Sequence, residues 1–236
     1  MLRYRILNLF FLATFTAVNL FGGNKIVSQK TRQTNQPDSL FDNQALYNGK
    51  IWRNLYYLVM EDQFLFSKEY LQGIVTIKGR TFNNVQLKYD IFKDELLTPI
   101  DSGRILQINK EMIDSFSLSF QGRKYQFIKM KEDTSKLSES FYNVLYNGKT
   151  SLLLKYSKKI DKLSVEGKYD KFYQISKIFI VLNDKLYPMT GKGDLFKILP
   201  YEKSKIKDFM KTKKLRISEK EPESFIPVVR FHDRTQ

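Results

Sequence analysis

Tyr70–Tyr89, YLQGIVTIKGRTFNNVQLKY, is the stretch that most narrows what this chain can fold into. Val75 and Ile77 alternate with Thr76 and Lys78, Gly79-Arg80 interrupts, and Phe82, Val85, Leu87 and Tyr89 resume an apolar pattern. Period-two alternation on both sides of a short polar break predicts a β-hairpin with one buried face. Gly79 supplies the φ > 0 conformation that tight hairpin turns need.

The rest of the chain can support such a sheet. It has 236 residues and is 42% hydrophobic, enough to fill a core. Its aromatics are mostly Phe (19) and Tyr (14), both favoured in strands. Apolar runs recur between turn signals. Leu87–Phe92 leaves the central hairpin and ends at Lys93-Asp94-Glu95; Leu96 and Leu97 begin another strand that Pro99 ends. Arg104–Ile108 alternates, Asn109–Asp114 reads as one helical turn capped by Asn109, and Phe116, Leu118 and Phe120 share a face up to Gln121-Gly122. Tyr125, Phe127 and Ile128 follow that turn. Lys129–Ser138 reads as a loop and Phe141–Tyr146 as a strand. Lysine-rich Ser157–Lys168 reads as an exposed hairpin end, and Ile178–Tyr187 as a hairpin turning at Asn183-Asp184. About ten to twelve strands are expected between Ala45 and Tyr187. The fold class is mainly β (α+β): an antiparallel sandwich, barrel-like sheet or meander with a short helical C-terminal segment.

Leu46-Tyr47-Asn48-Gly49-Lys50 recurs as Leu145-Tyr146-Asn147-Gly148-Lys149. Asn-Gly between apolar residues predicts a type I′ turn at each copy, and the repeat admits either internal duplication or convergent use of one turn.

Four segments follow. Met1–Ser28 has Arg3 and Arg5 ahead of a largely apolar Ile6–Phe21 and reads as a signal peptide cleaved between Gly22 and Gln29. Residues 29–42 are a polar lead-in, 43–190 the β-rich domain and 191–236 the helical segment. In the last, Asp194–Leu199 is expected as a short helix capped by Asp194 and stopped near Pro200. Glu202–Leu215 sets Ile206, Phe209 and Met210 at helical spacing. Glu221–Phe231 is expected to hold only a turn or two, limited by Pro222 and Pro227.

The chemistry is bounded mainly by what is missing. There is no Cys, so disulfides, thiolate metal sites and Cys nucleophiles are excluded. The only His, His232, excludes a multi-His metal centre and falls in an expected mobile tail. There is no HExxH or GxSxG pattern, and Gly191-Lys192-Gly193 lacks the rest of a phosphate loop. No catalytic, cofactor or metal residues are assigned. Asp90, Asp94 and Glu95 form an acidic cluster; Asp90 and Glu95 could pair for glycoside hydrolysis, but their place in a turn favours a solvated loop.

With 40 Lys+Arg against 25 Asp+Glu, the net charge is +15 and the pI near 9.7. The cations are mostly Lys spread along the chain, which favours a solvated basic surface over a nucleic-acid site. Export removes cytoplasmic nucleic acid as a partner. The best contact candidates are Lys203, Lys205, Lys207, Lys211, Lys213 and Lys214, beside the narrow apolar stripe of the expected helix.

The leader ending near Gln29, the Leu-Tyr-Asn-Gly motif, Asn84–Asp90 (NVQLKYD) and the lysine-rich C-terminus resemble a loosely defined group of exported envelope proteins of Bacteroidota-type bacteria. The resemblance implies an envelope location and no activity. The expectation is therefore an exported, non-enzymatic binding or assembly component, periplasmic or outer-membrane-associated. Its partner would be another envelope protein or an anionic surface, with no small-molecule cofactor. The alternatives are a membrane-surface or glycan-binding adhesin-like protein using its basic helix, and a carbohydrate-active enzyme.

Overall fold

The computed structural model describes residues 42–101, 103–131, 139–199 and 203–235. The expected leader and nearly all of the lead-in lie outside the described residues; Asp42 opens a 3-10 turn, Asp42–Ala45. Eleven strands follow. The first five are β1 (Gly49–Ile51), β2 (Leu71–Ile77), β3 (Arg80–Asp90), β4 (Glu95–Pro99) and β5 (Ile105–Ile108). Then come β6 (Ile113–Phe120), β7 (Arg123–Lys131), β8 (Glu139–Tyr146), β9 (Ser151–Val165), β10 (Tyr169–Leu182) and β11 (Lys185–Met189). Three short helices close the chain: α1 (Lys192–Ile198), α2 (Lys203–Thr212) and α3 (Ile226–Thr235).

The strands form one open antiparallel sheet ordered β1-β5-β4-β3-β2-β6-β7-β8-β9-β10-β11. Most neighbours are joined by hairpins. The exceptions are the passage from β5 to β6, which lands beside β2, and that from β1 to β2, which carries residues 52–70 across the molecule. Two-residue turns at Lys78-Gly79, Gln121-Gly122 and Asn183-Asp184 have both central residues at positive φ, as type I′ turns require, and the three-residue connection between β9 and β10 opens with Glu166 and Gly167 in the same region. Between β2 and β3 the register slips at Gly73/Val75, and Asn84 opposite it takes a φ of 56°. Such a bulge sharpens the local twist. It lies where the partnering of β3 passes from β2, up to Leu87, to β4, from Lys88 onward.

Alternation then distributes the core. Val75, Ile77, Leu87 and Tyr89 bury with Phe116, Phe127 and Phe141 of β6, β7 and β8. Phe116 stacks on Phe127 with centroids 4.6 Å apart, and the Tyr89 ring meets both edge-on. On β9 and β10, Leu152, Leu154, Ile178 and Ile180 face the helices, packing on Leu195, Ile206, Met210, Phe225 and Val228. Leu153 and Phe179 point the other way and pack with Tyr142.

Several expectations need correction. Neither Asn-Gly pair is a type I′ turn, because Asn48, Gly49, Asn147 and Gly148 all avoid positive φ. Their glycines instead allow close approach: a Cβ on Gly49 would lie 2.0 Å from the Gln107 carbonyl oxygen, and one on Gly148 2.1 Å from Asp233 Oδ2. Lys129–Lys131, expected as loop, continues β7, while 132–138 lie outside the described residues. Asp194 does not cap α1. Gly191 does, and Asp194 reaches back to accept from the backbone N–H and hydroxyl of Thr190 at 3.0 and 2.6 Å. The C-terminus is a ten-residue helix rather than a turn or two. Pro222 and Pro227 sit in first turns, where the missing N–H is not needed. His232 is therefore buried on α3 rather than mobile.

Truncating Phe127 to Ala should cost about 3–5 kcal/mol in urea unfolding, since it opens a cavity in the aromatic cluster. The bonds from Thr190 and then the Lys197 ammonium hold the Asp194 carboxyl down at about 2. A lowered carboxyl stabilises the fold above its ordinary range and loses that effect as pH falls through the native value. Thermal melts should accordingly show wild type above Asp194→Ala at pH 5, with the gap closing between pH 4 and 2.

Candidate binding face around Trp52

The connection from β1 to β2 is an extended strap pinned at both ends. At its start the Trp52 N–H donates to the Ile105 carbonyl at 2.8 Å. Further along, the Met60 N–H donates to Asp170 O at 2.9 Å and the Phe172 N–H to Met60 O at 3.0 Å, so Met60 pairs with the outer part of β10. Ile91 N–H to Gln63 O and Leu65 N–H to Tyr89 O, at 3.0 and 2.9 Å, fasten it to the end of β3. Lys158 Nζ meets Asp62 Oδ1 at 3.1 Å. Between the pins, Tyr56 packs its ring edge-on against Phe92 and Phe172, with centroids 4.9 and 6.0 Å away. Three apolar side chains here face water, Leu55, Tyr57 and Leu58 being 74%, 75% and 77% exposed, and Ile51 and Met60 are also exposed.

Two grooves flank this strap, sharing Trp52, Tyr56 and Gln63 as their common wall. One, of about 430 Å³, is bordered by Lys50, Arg53, Asp90, Lys93, Glu95 and Gln107. The other, of about 350 Å³, is bordered by Asn54, Tyr57, Asp62, Phe64, Lys68 and Lys88.

The acidic cluster is not a solvated loop. Asp90 is fully buried, its Oδ1 accepting from the Phe92 and Lys93 N–H groups at 2.9 and 3.0 Å and its Oδ2 from Gln63 Nε2 at 2.9 Å. Asp94 Oδ1 accepts from the buried Tyr89 hydroxyl at 2.6 Å, and its Oδ2 pairs with Lys110 Nζ at 2.6 Å. These two carboxylates build the turn between β3 and β4. Glu95 differs. It stands opposite Asp90 across the ladder, lines the larger groove, and accepts no hydrogen bond among the described residues. Burial first, then the Asp90 charge, pushes its carboxyl up, against the pull of Lys50, Lys93 and Lys110. Burial also raises Asp90, opposed by the three bonds it accepts.

The basic helix is placed as expected, and its apolar stripe is already used. Ile206 and Met210 are buried, and Phe209 stacks on Phe231 of α3 at 4.2 Å. Lys203, Lys205, Lys207, Lys211, Lys213 and Lys214 are all exposed, with Lys207 Nζ 5.7 Å from the Phe196 ring centre. Ser204 and Lys207 stand at Ser-x-x-Lys spacing, but both lie on that open surface. A depression of about 500 Å³ beside β1 holds Lys110 and Lys129, each already paired, with Asp94 and Glu139 respectively. Among the described residues, no helix is long and apolar enough to cross a membrane and no three His, Cys, Asp or Glu form a metal-binding group.

Ile51–Met60 is an apolar stretch whose composition alone would also suit a strand. The signal that separates them is the lack of alternation in Trp52–Met60, WRNLYYLVM, where Leu-Tyr-Tyr-Leu-Val is continuous.

Replacing Glu95 by Gln tests the strain at the groove. A raised carboxyl favours the native state fully below its ordinary pKa and loses that contribution as pH rises through the raised value. Glu95→Gln does not titrate. Its stability relative to wild type should therefore increase from pH 4 to pH 7 in chemical denaturation, and a constant difference would show Glu95 to be relaxed.

Comparison with family models, with curated protein sequences and with solved structures finds no match to this chain.

Proposed function

We propose that the chain is an exported, non-enzymatic binding component of the cell envelope, and that it meets its partner through the strap face. The observation carrying this reading is the outward set of Leu55, Tyr57 and Leu58 on a segment fixed at both ends. Large apolar side chains gathered on an ordered surface lower the free energy when covered, and this is the usual mark of a contact surface. The pinning means that little chain entropy is lost on docking. Export is supported by the composition of Met1–Ser28. Binding rather than hydrolysis is supported by Asp90, whose oxygens are occupied by three donors, leaving Glu95 as the one unengaged carboxylate of the pair where glycoside hydrolysis uses two.

The triple variant Leu55→Ser, Tyr57→Ser, Leu58→Ser should melt within a few degrees of wild type, since these side chains support no core. Its retention in a washed envelope pellet should fall about ten-fold, which corresponds to about 1.4 kcal/mol. Undiminished retention of the folded variant would remove the strap as the contact surface. Loss of wild-type retention at about 0.5 M salt would identify the partner as an anionic surface, and persistence would identify a protein.

A further inference from the structure

The larger groove carries a chemical signature of its own. Arg53, Glu95 and the Gln107 amide line it with no hydrogen bond or ion pair from their side chains among the described residues, and Lys50 contributes an ammonium whose field acts on Glu95. Both donors and acceptors thus border one space without partners. Trp52 rises between this groove and its neighbour, half-buried, with its ring tilted against Phe64 at 5.9 Å. Tyr56 stands beside it in the same wall.

This combination selects among ligand classes. An aliphatic ligand would strand the polar groups, whose desolvation without partners is costly. A phosphate or other anion would be drawn to Lys50, Arg53 and Lys93 but would face the Glu95 carboxylate and offer it no proton. A lone cation would meet Lys50, Arg53 and Lys93. A hydroxyl group both donates and accepts, so it can satisfy Glu95 with its proton and Arg53, Lys50 or the Gln107 amide with its lone pairs. A ring bearing several hydroxyls around an apolar C–H face also matches an aromatic wall, as amphipathic ligands match pockets with apolar floors and a few placed polar groups.

We propose that the strap face binds an uncharged glycan chain, with one sugar ring against Trp52 and its hydroxyls shared among Glu95, Arg53 and Gln107. The neighbouring groove beyond the Trp52–Tyr56 wall receives the next residues of the chain. This rests on the reading of the strap as a contact face and names the ligand class for the groove beside it. Of the apolar shoulder, Leu55 and Tyr57 border the two grooves and Leu58 borders neither.

Trp52 is the only tryptophan of the chain, so its emission reports the groove directly. The full chain should be titrated with maltohexaose, cellohexaose and chitohexaose while Trp52 emission is followed, and the affinities confirmed by calorimetry. A saturable change is expected for at least one of them at sub-millimolar concentration, weakened at least five-fold in Glu95→Gln and in Arg53→Gln. Hexagalacturonate, carrying carboxylates, should bind at least ten-fold more weakly. No saturable change with any of the three neutral hexasaccharides up to about 10 mM, or binding undiminished in both variants, would overturn the proposal. Leu58→Ser, which alters the one shoulder side chain that borders neither groove, should bind the glycan like wild type. Saturable glycan binding by wild type with envelope retention undiminished in the triple shoulder variant would sink the contact-face reading, and lost retention in that variant with no saturable glycan binding by wild type would sink the glycan proposal alone.

Discussion

A phenol hydroxyl sealed inside a ring of aromatic side chains must find an acceptor, and the hydrogen bond from Tyr89 to Asp94 meets that need. Burial, followed by the Asp94 charge, drives the phenol well above its ordinary pKa, so it stays a donor. Asp94 in turn holds Lys110, after β5, and lies 3.4 Å from the backbone N–H of Phe141 on β8. One carboxylate thereby ties together β3, the turn that follows it, the segment before β6 and the start of β8. The turn it fixes is also the one that presents Asp90, Lys93 and Glu95 to the strap. The aromatic core and the candidate face therefore share a foundation: the packing that orders Phe116, Phe127 and Phe141 also sets the position of the groove.

The strap shows how an irregular segment can be ordered without belonging to the sheet. Its backbone groups find partners at Ile105, Tyr89 and Asp170, so its polar demand is met at several points along its length. Glu61 and Phe66 adopt positive φ at 63° and 68°, a conformation unfavourable for side-chain-bearing residues. Phe66 is held there by Phe120 and Tyr125, with ring centres 5.1 and 4.3 Å away. Packing on one side of the strap thus sustains backbone strain while the other side leaves leucine and tyrosine in water.

Much of the sheet was legible because its signals are local. Alternation around Val75 and Ile77, around Phe116 and Leu118, and the residue types at Gly79, Gln121-Gly122 and Asn183-Asp184 each specify a strand or a turn without reference to distant parts of the chain. The failures at the turn glycines and the acidic cluster are tertiary. Gly49 and Gly148 look like turn glycines, yet each is required by a neighbour brought close only by the fold, Gln107 in one case and Asp233 in the other. Asp90 and Asp94 look solvated because nothing in Lys93-Asp94-Glu95 announces that Gln63, Lys110 and Tyr89 will converge there. The candidate face depends on the same convergence. Trp52 and Tyr56 come from the strap, Glu95 from β4 and Gln107 from β5, so no single window of sequence holds it.

The two outer strands of the sheet have a consequence for how molecules of this kind can assemble. At one margin β1 is only three residues long and carries Lys50; at the other, β11 contains Lys185 and Pro188, the latter without an N–H to donate. Short length, lysine and proline are the devices by which a sheet margin resists annealing to another chain. Growth of the ribbon by backbone zippering is thereby blocked at both ends, and association with any other molecule is left to side-chain chemistry.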